Sequence, residues 1–251
     1  LISQRYERNE AYYNGDHAIM ERYRPEHLPN NKVIMNFPKY TTDISTSYFM
    51  GNPIKYENTA DGDIEPLLVA FDKAHVDDTD YDNAFEGSQN GVAFEYVYVA
   101  EGESELRTKN LSARNTFMIY DASIEEREVA AVYYRVIHDD ATDRLRYAAT
   151  VLTKHYKYEL NILDTLEHQL TTETAQEHYF GEVPVICYQN NHNCIGDYEQ
   201  AIAMTDAYNT VMSDRVNDKE EWAQSFLLIY GALLSDEGEE GKAKKELNEG
   251  R

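Results

Sequence analysis

Asp78-Thr79-Asp80-Tyr81-Asp82-Asn83 is the stretch whose residue types and spacing come nearest to chemistry. Its three carboxylates match positions one, three and five of an EF-hand calcium loop, where oxygen ligands converge on a hard cation. Two further positions fail. Asn83 stands where that loop needs glycine for its sharp turn, and Gln89 stands where it needs a bidentate glutamate. An acidic helix start, favoured by the positive end of the helix dipole, suits the same residues better. No metal site is expected, Asp78, Asp80 and Asp82 being only weak candidates for ligands, and a metal-dependent hydrolase or calcium-binding module built on them is the alternative function.

Cys187, His192 and Cys194 offer three zinc-type ligands. A fourth would have to come from His178 or another distant residue, and the spacing fits no common zinc module. Cys187 lies in an apolar stretch that suits a core strand. No phosphate-cradling glycine loop, nucleophile elbow or paired-histidine zinc helix occurs. The eight histidines and many carboxylates could supply an acid–base pair, but sequence alone brings no two together. No catalytic residue and no cofactor are expected.

The chain has 251 residues, enough to bury a sizeable core, and 42% of them are hydrophobic. Its formal net charge is −23. Such a surface repels phosphate backbones and anionic membranes, which excludes general nucleic-acid binding by counterion release. The charge comes in blocks. Residues 1–58 carry seven bases and seven acids, whereas 59–105 carry one base and thirteen acids, and 170–251 carry six bases and sixteen acids. The 21 tyrosines argue against a disordered acidic chain. The longest apolar run, Phe226–Leu234, is too short to span a bilayer. No signal peptide is visible, and the missing initiator methionine suggests that something upstream has been removed. Two cysteines make no disulfide framework, so a reducing compartment is expected.

These residues must sit on a frame that the hydrophobic period predicts. A polar helix is expected over Ile2–Arg24, interrupted at Gly15, and a second from Pro38 to Met50, stopped by Gly51-Asn52-Pro53. Asp63 and Pro66 open a third, the chain breaks near His75–Asp80, and another helix ends at Gly91. The period then changes to two. Strands are expected at Val92–Val99, Thr116–Tyr120, Val129–His138, Leu145–Thr153, His155–Leu160, Leu163–Gln169 and Val183–Tyr188. After Asp197 the pattern is helical again, with one stripe of Ala201, Thr205, Tyr208, Met212 and Val216. A fresh start is expected at Asn217-Asp218, with Trp222 and Phe226 on one buried face. The fold class is α+β, with helices at both ends of a mainly antiparallel sheet. It divides into a helical part (1–91), a sheet part (92–188) and C-terminal helices (189–251).

One ordered series of short motifs carries family information. It runs Tyr12-Tyr13-Asn14-Gly15-Asp16-His17, Pro29-Asn30-Asn31, Asn36-Phe37-Pro38-Lys39-Tyr40 and Tyr48-Phe49-Met50-Gly51-Asn52-Pro53. It continues with Glu182-Val183-Pro184-Val185-Ile186, Asn190-Asn191, Gly196-Asp197-Tyr198-Glu199, Asp206-Ala207-Tyr208-Asn209 and Ser213-Asp214…Asn217-Asp218. Over about residues 5 to 235 the series resembles tailed-phage portal proteins of the SPP1 type. Asn52 departs from the lysine common there. Such portals are also longer, so stem, clip and tunnel-loop parts are expected beyond Arg251, and the chain is expected to be a wing-containing fragment or a short portal.

The resemblance implies a ring homo-oligomer, typically dodecameric, at the head–tail vertex of a virion and made in the host bacterial cytoplasm. Implied partners are the terminase large subunit, scaffold or capsid protein and a head–tail adaptor, with no membrane. DNA would pass through the channel without tight binding, in keeping with the acidic charge, and the chain would be no enzyme. Subunit contacts are looked for at Tyr40, Ile44, Tyr48, Tyr208 and Met212, although stripes of this kind usually face a core.

Overall fold

The computed structural model describes residues 2–59, 62–100, 102–139, 144–163 and 170–234. The helices are α1 (Ile2–Asn14), α2 (Phe37–Phe49), α3 (Glu65–Ala74), α4 (Val76–Asn90) and α5 (Ile202–Leu234), with short 3-10 turns at Ala18–Glu21 and Glu199–Ala201. The strands are β1 (Val92–Val99), β2 (Leu106–Leu111), β3 (Thr116–Tyr120), β4 (Glu128–Asp139), β5 (Arg144–Thr153), β6 (Tyr156–Leu163), β7 (Leu170–Glu177) and β8 (Val185–Gln189). The fold is α+β, with helices before and after the strands, as the change of period at Gly91 predicts. Contacts divide the chain into two compact units, one of Leu1–Asn14 and Phe37–Gln200, the other of Gly15–Asn36 and Ala201–Arg251.

In the first unit the strands form a three-stranded sheet, β2-β1-β8, and a five-stranded meander, β3-β4-β5-β6-β7. Every pairing is antiparallel. Phe94 of β1 pairs with Leu111 on one side and with Cys187 on the other. The core gathers Tyr6, Val92, Phe94, Leu111, Ala131, Leu152, Val183 and Val185. Residues on both faces of the first half of β1 are buried, because α4 packs against this sheet. That is why Glu95 can alternate with Phe94 and still be buried.

Two left-handed residues shape the α3–α4–β1 path. His75, at φ 53°, separates α3 from α4 in a single residue, which shortens the break expected over His75–Asp80. Gly91, at φ 85°, ends α4 and returns its N–H to Gly87 O, the αL stop that only glycine adopts without cost. Arg5 of α1 then donates to the carbonyls of Asn90 and Cys194, so a cation satisfies the negative end of α4.

The first helix stops at Asn14 rather than Arg24, because Gly15 takes φ 94° and leads into an extended path. The break expected at Asn217-Asp218 is absent, and α5 runs through it. Asn217 does not cap a new helix; its side chain is used elsewhere, as described below. Residues 140–143 of the Asp-rich turn, 164–169 of the strand expected at Leu163–Gln169, and the charged tail 235–251 lie outside the described residues.

The second unit is held by polar groups. Residues 31–35 form an extended strap along α5. The backbone N–H groups of Asn31, Val33 and Met35 donate to Asn217 Oδ1 (2.8 Å), Ser213 Oγ (2.9 Å) and Asn209 Oδ1 (2.9 Å). The spacing is matched: four helical residues rise about 6.0 Å, and two strand residues about 6.6 Å. Met35 fixes the amide orientation of Asn209, whose Nδ2 then lies 2.8 Å from His17 Nδ1. That nitrogen must accept, which places the imidazole proton on Nε2. Arg22 and Arg24 pair with Asp214, and Arg24 also with Glu221.

Candidate functional site

The acidic stretch 78–82 lies inside α4, not in a loop. Helical geometry sets Asp78 and Asp82 one turn apart on an exposed face and turns Asp80 about 200° away from Asp78. Asp80 is half-buried, and its Oδ2 has no hydrogen-bond partner. Burial, then the negative charges of Glu95 and Asp77, push its carboxyl up to about 6. Glu95 itself accepts from Tyr188 Oη at 2.8 Å and from Asn83 Nδ2 at 3.4 Å. Asn83 in turn accepts from Asn110 Nδ2 at 2.8 Å. Glu86 accepts the Ala113 N–H at 2.6 Å. Glu95 and Glu86 are tied into the α4–sheet packing one by one, and the three aspartates do not converge. Among the described residues, no group of three or more His, Cys, Asp or Glu is placed to hold a metal ion.

The three zinc-type residues are placed just as separately in role. Cys187 lies on β8 against the core, and burial, with Cys194 nearby, pushes its thiol up to about 11. That is the wrong direction for a thiolate ligand or nucleophile. His192 is exposed, and His178, the distant fourth, has its Nε2 2.7 Å from Thr153 O. An open groove of about 440 Å³ beside α3 and β2 is lined by charges of both signs, of which Lys73 pairs with Glu105 at 2.6 Å and Arg107 with Glu103 at 2.7 Å.

The surface features that stand out are two helices turned inside out. α2 buries Pro38, Thr42 and Thr46. Its opposite face shows Phe37, Tyr40, Ile44 and Tyr48 to solvent, with Tyr48 91% exposed. An amphipathic surface helix normally does the reverse. α5 repeats the inversion. Thr205, Asn209, Ser213 and Asn217 are buried, the last three fully so, while Met204, Tyr208, Val211 and Trp222 are exposed.

The stripe Tyr40, Ile44 and Tyr48, where subunit contacts are looked for although such stripes usually face a core, faces outward. On α5 the expected stripe is corrected by one residue: Thr205 is buried, Tyr208 and Val216 are exposed, and Met212 is half-buried. The reason is the strap, whose backbone donors demand side-chain oxygens rather than hydrocarbon. Trp222, expected in a core, is 72% exposed. Phe37, Met204 and Val211 belong to these outward faces and were not singled out by the sequence reading. The visible signal was the four-residue repeat Thr205, Asn209, Ser213, Asn217, which leaves the apolar residues of α5 to the other side.

Among the described residues, no helix is long and apolar enough to cross a membrane. The family model described as phage portal protein, SPP1 Gp6-like, matches residues 2–249. No curated protein matches the chain.

Proposed function

We propose, from the premise that this chain belongs to the SPP1 Gp6-like family of phage portal proteins, that it forms the ring at the head–tail vertex through which the genome is packaged and ejected. The single observation that carries this reading is the family match over residues 2–249. The family is a structural one, a component of the virion head vertex that works as an oligomer among other head proteins.

The ring docks the terminase large subunit during packaging and a head–tail adaptor afterwards, and scaffold or capsid protein surrounds it. DNA slides through without tight binding. The net charge of −23 supports this, since a wall of like charge does not condense on phosphates. The chain itself hydrolyses nothing; the packaging energy comes from its motor partner. Synthesis takes place in the host bacterial cytoplasm. The division into residues 1–91, 92–188 and 189–251 serves as the working map of wing-like parts. Tyr40, Ile44, Tyr48, Tyr208 and Met212 are proposed as subunit contacts, four of them exposed and Met212 half-exposed.

The test is genetic and structural together. Inactivating the gene in the phage that encodes it yields heads that contain no DNA, and an antibody to the chain marks one vertex of complete particles. DNA-filled heads in the absence of the gene would refute the reading.

A further inference from the structure

We propose that the outward face of α2 on one subunit packs against the outward face of α5 on the next, so that the two inverted helices are the two halves of one head-to-tail contact. This rests on the portal reading and deepens it, by naming the partner of each face as a second copy of this chain.

Three observations carry it. First, both helices bury hydroxyl and amide side chains and leave large apolar ones outside. Covering such faces lowers the free energy, because apolar surface leaves water. Second, the spacings agree. Met204, Tyr208, Val211, Arg215, Asp218 and Trp222 follow one another at four, three, four, three and four residues, and Phe37, Tyr40, Ile44 and Tyr48 at three, four and four. That is the alternation by which two helices interlock at a shallow crossing angle. Third, the charges suit a copy of the chain. The apolar face of α5 carries both of the helix's cations, Arg215 and Lys219, against one acid, Asp218, while Asp214 and Glu221 pair with Arg22 and Arg24 and helical geometry turns Asp206 and Glu220 to the other side. A subunit of net charge −23 approaching that side meets positive charge there. The α2 face belongs to residues 1–58, the part of the chain with no net charge, so it brings little repulsion of its own.

Because the two faces differ, the contact is heterologous: each subunit gives α2 to one neighbour and α5 to the other. Such a contact closes into a ring when the rotation between subunits allows it.

The experiment mixes two variants of the full chain. Ile44→Arg spoils the α2 face and keeps α5; Val211→Arg does the opposite. Both substitutions make the net charge less negative, so added repulsion cannot explain a loss. Both sites are exposed, and thermal melting checks that the fold is kept; Tyr48→Arg and Met204→Arg form the second pair if it is not. Native mass spectrometry and sedimentation should show the unsubstituted chain assembling beyond a dimer, with each variant alone weakened about tenfold or more. An equimolar mixture of the two variants should form a one-to-one pair and stop there. If Val211→Arg alone still dimerises, α2 meets α2 and the proposal is overturned. If both variants assemble like the parent, other surfaces hold the ring; the proposal then fails while the portal reading stands. A parent chain that stays monomeric at every concentration and salt defeats the ring and the proposal together.

Discussion

Val33 gives its backbone N–H to Ser213 Oγ over 2.9 Å, and Ser213 is wholly buried. One turn away on either side, Asn209 and Asn217 receive Met35 and Asn31 in the same manner. The helix therefore reads a strand's backbone, not its side chains. Ser213→Ala leaves the Val33 donor without a partner and should cost about 1–3 kcal/mol in chemical denaturation. Amide exchange at Val33 should speed up in step. Lys32→Ala, by contrast, leaves all three backbone bonds in place and should keep Val33 protection close to that of the parent chain.

Asp80 supplies a pH dependence. Its carboxyl is raised to about 6, so the folded state holds that proton more tightly than the unfolded chain does. The associated stability is fully present below the unfolded carboxylate range and is lost as pH rises through about 6. Asp80→Asn removes this loss. The variant should melt higher than the parent chain at pH 8, by about 2–4 °C for each kcal/mol gained, and the difference should shrink towards pH 4. An advantage that grows on acidification would contradict the burial argument.

Gly91 is held by its surroundings as well as by its φ of 85°. A Cβ there would stand 2.3 Å from the Cys194 carbonyl oxygen. Gly91→Ala should therefore destabilise by about 2–4 kcal/mol, strain and clash together. Gly102, whose φ is 79° with nothing near its Cβ, provides the comparison. There, Gly→Ala bears the backbone strain alone and should cost less.

Trp222 is the only tryptophan and is 72% exposed. Trp222→Ala should cost the single chain less than the about 3–5 kcal/mol of truncating a buried indole. In the parent its emission should be that of a solvated indole when dilute. It should shift to the blue as protein concentration rises, because the residue lies on the α5 face proposed to be covered. An emission maximum that is already blue at high dilution would place the indole in a core.

Much of the frame was legible. The change of period at Gly91 marks where helix gives way to strand, and β1, β3, β4 and β5 lie where alternation put them. The direction of α2 and α5 was not legible. Amphipathicity says which residues share a face, but hydrocarbon does not always turn inward. Here Thr42 and Thr46 are buried on α2, and the strap's N–H groups claim the polar side of α5. That demand comes from residues 31–35, about 180 positions away in sequence, and no local window contains it. The acidic stretch misled in a different way: alternate aspartates suggest convergence in a loop, but in a helix they diverge.

Oligomeric state tests the portal reading most directly. Negative-stain electron microscopy and native mass spectrometry on the purified chain, at rising concentration and salt, should show closed rings of a single subunit number around an open centre. Their population should grow as salt screens the net charge of −23. The same preparations should leave duplex DNA unbound at physiological salt. A chain that remains monomeric under all these conditions, or that binds duplex DNA tightly, would contradict a ring built to let DNA slide.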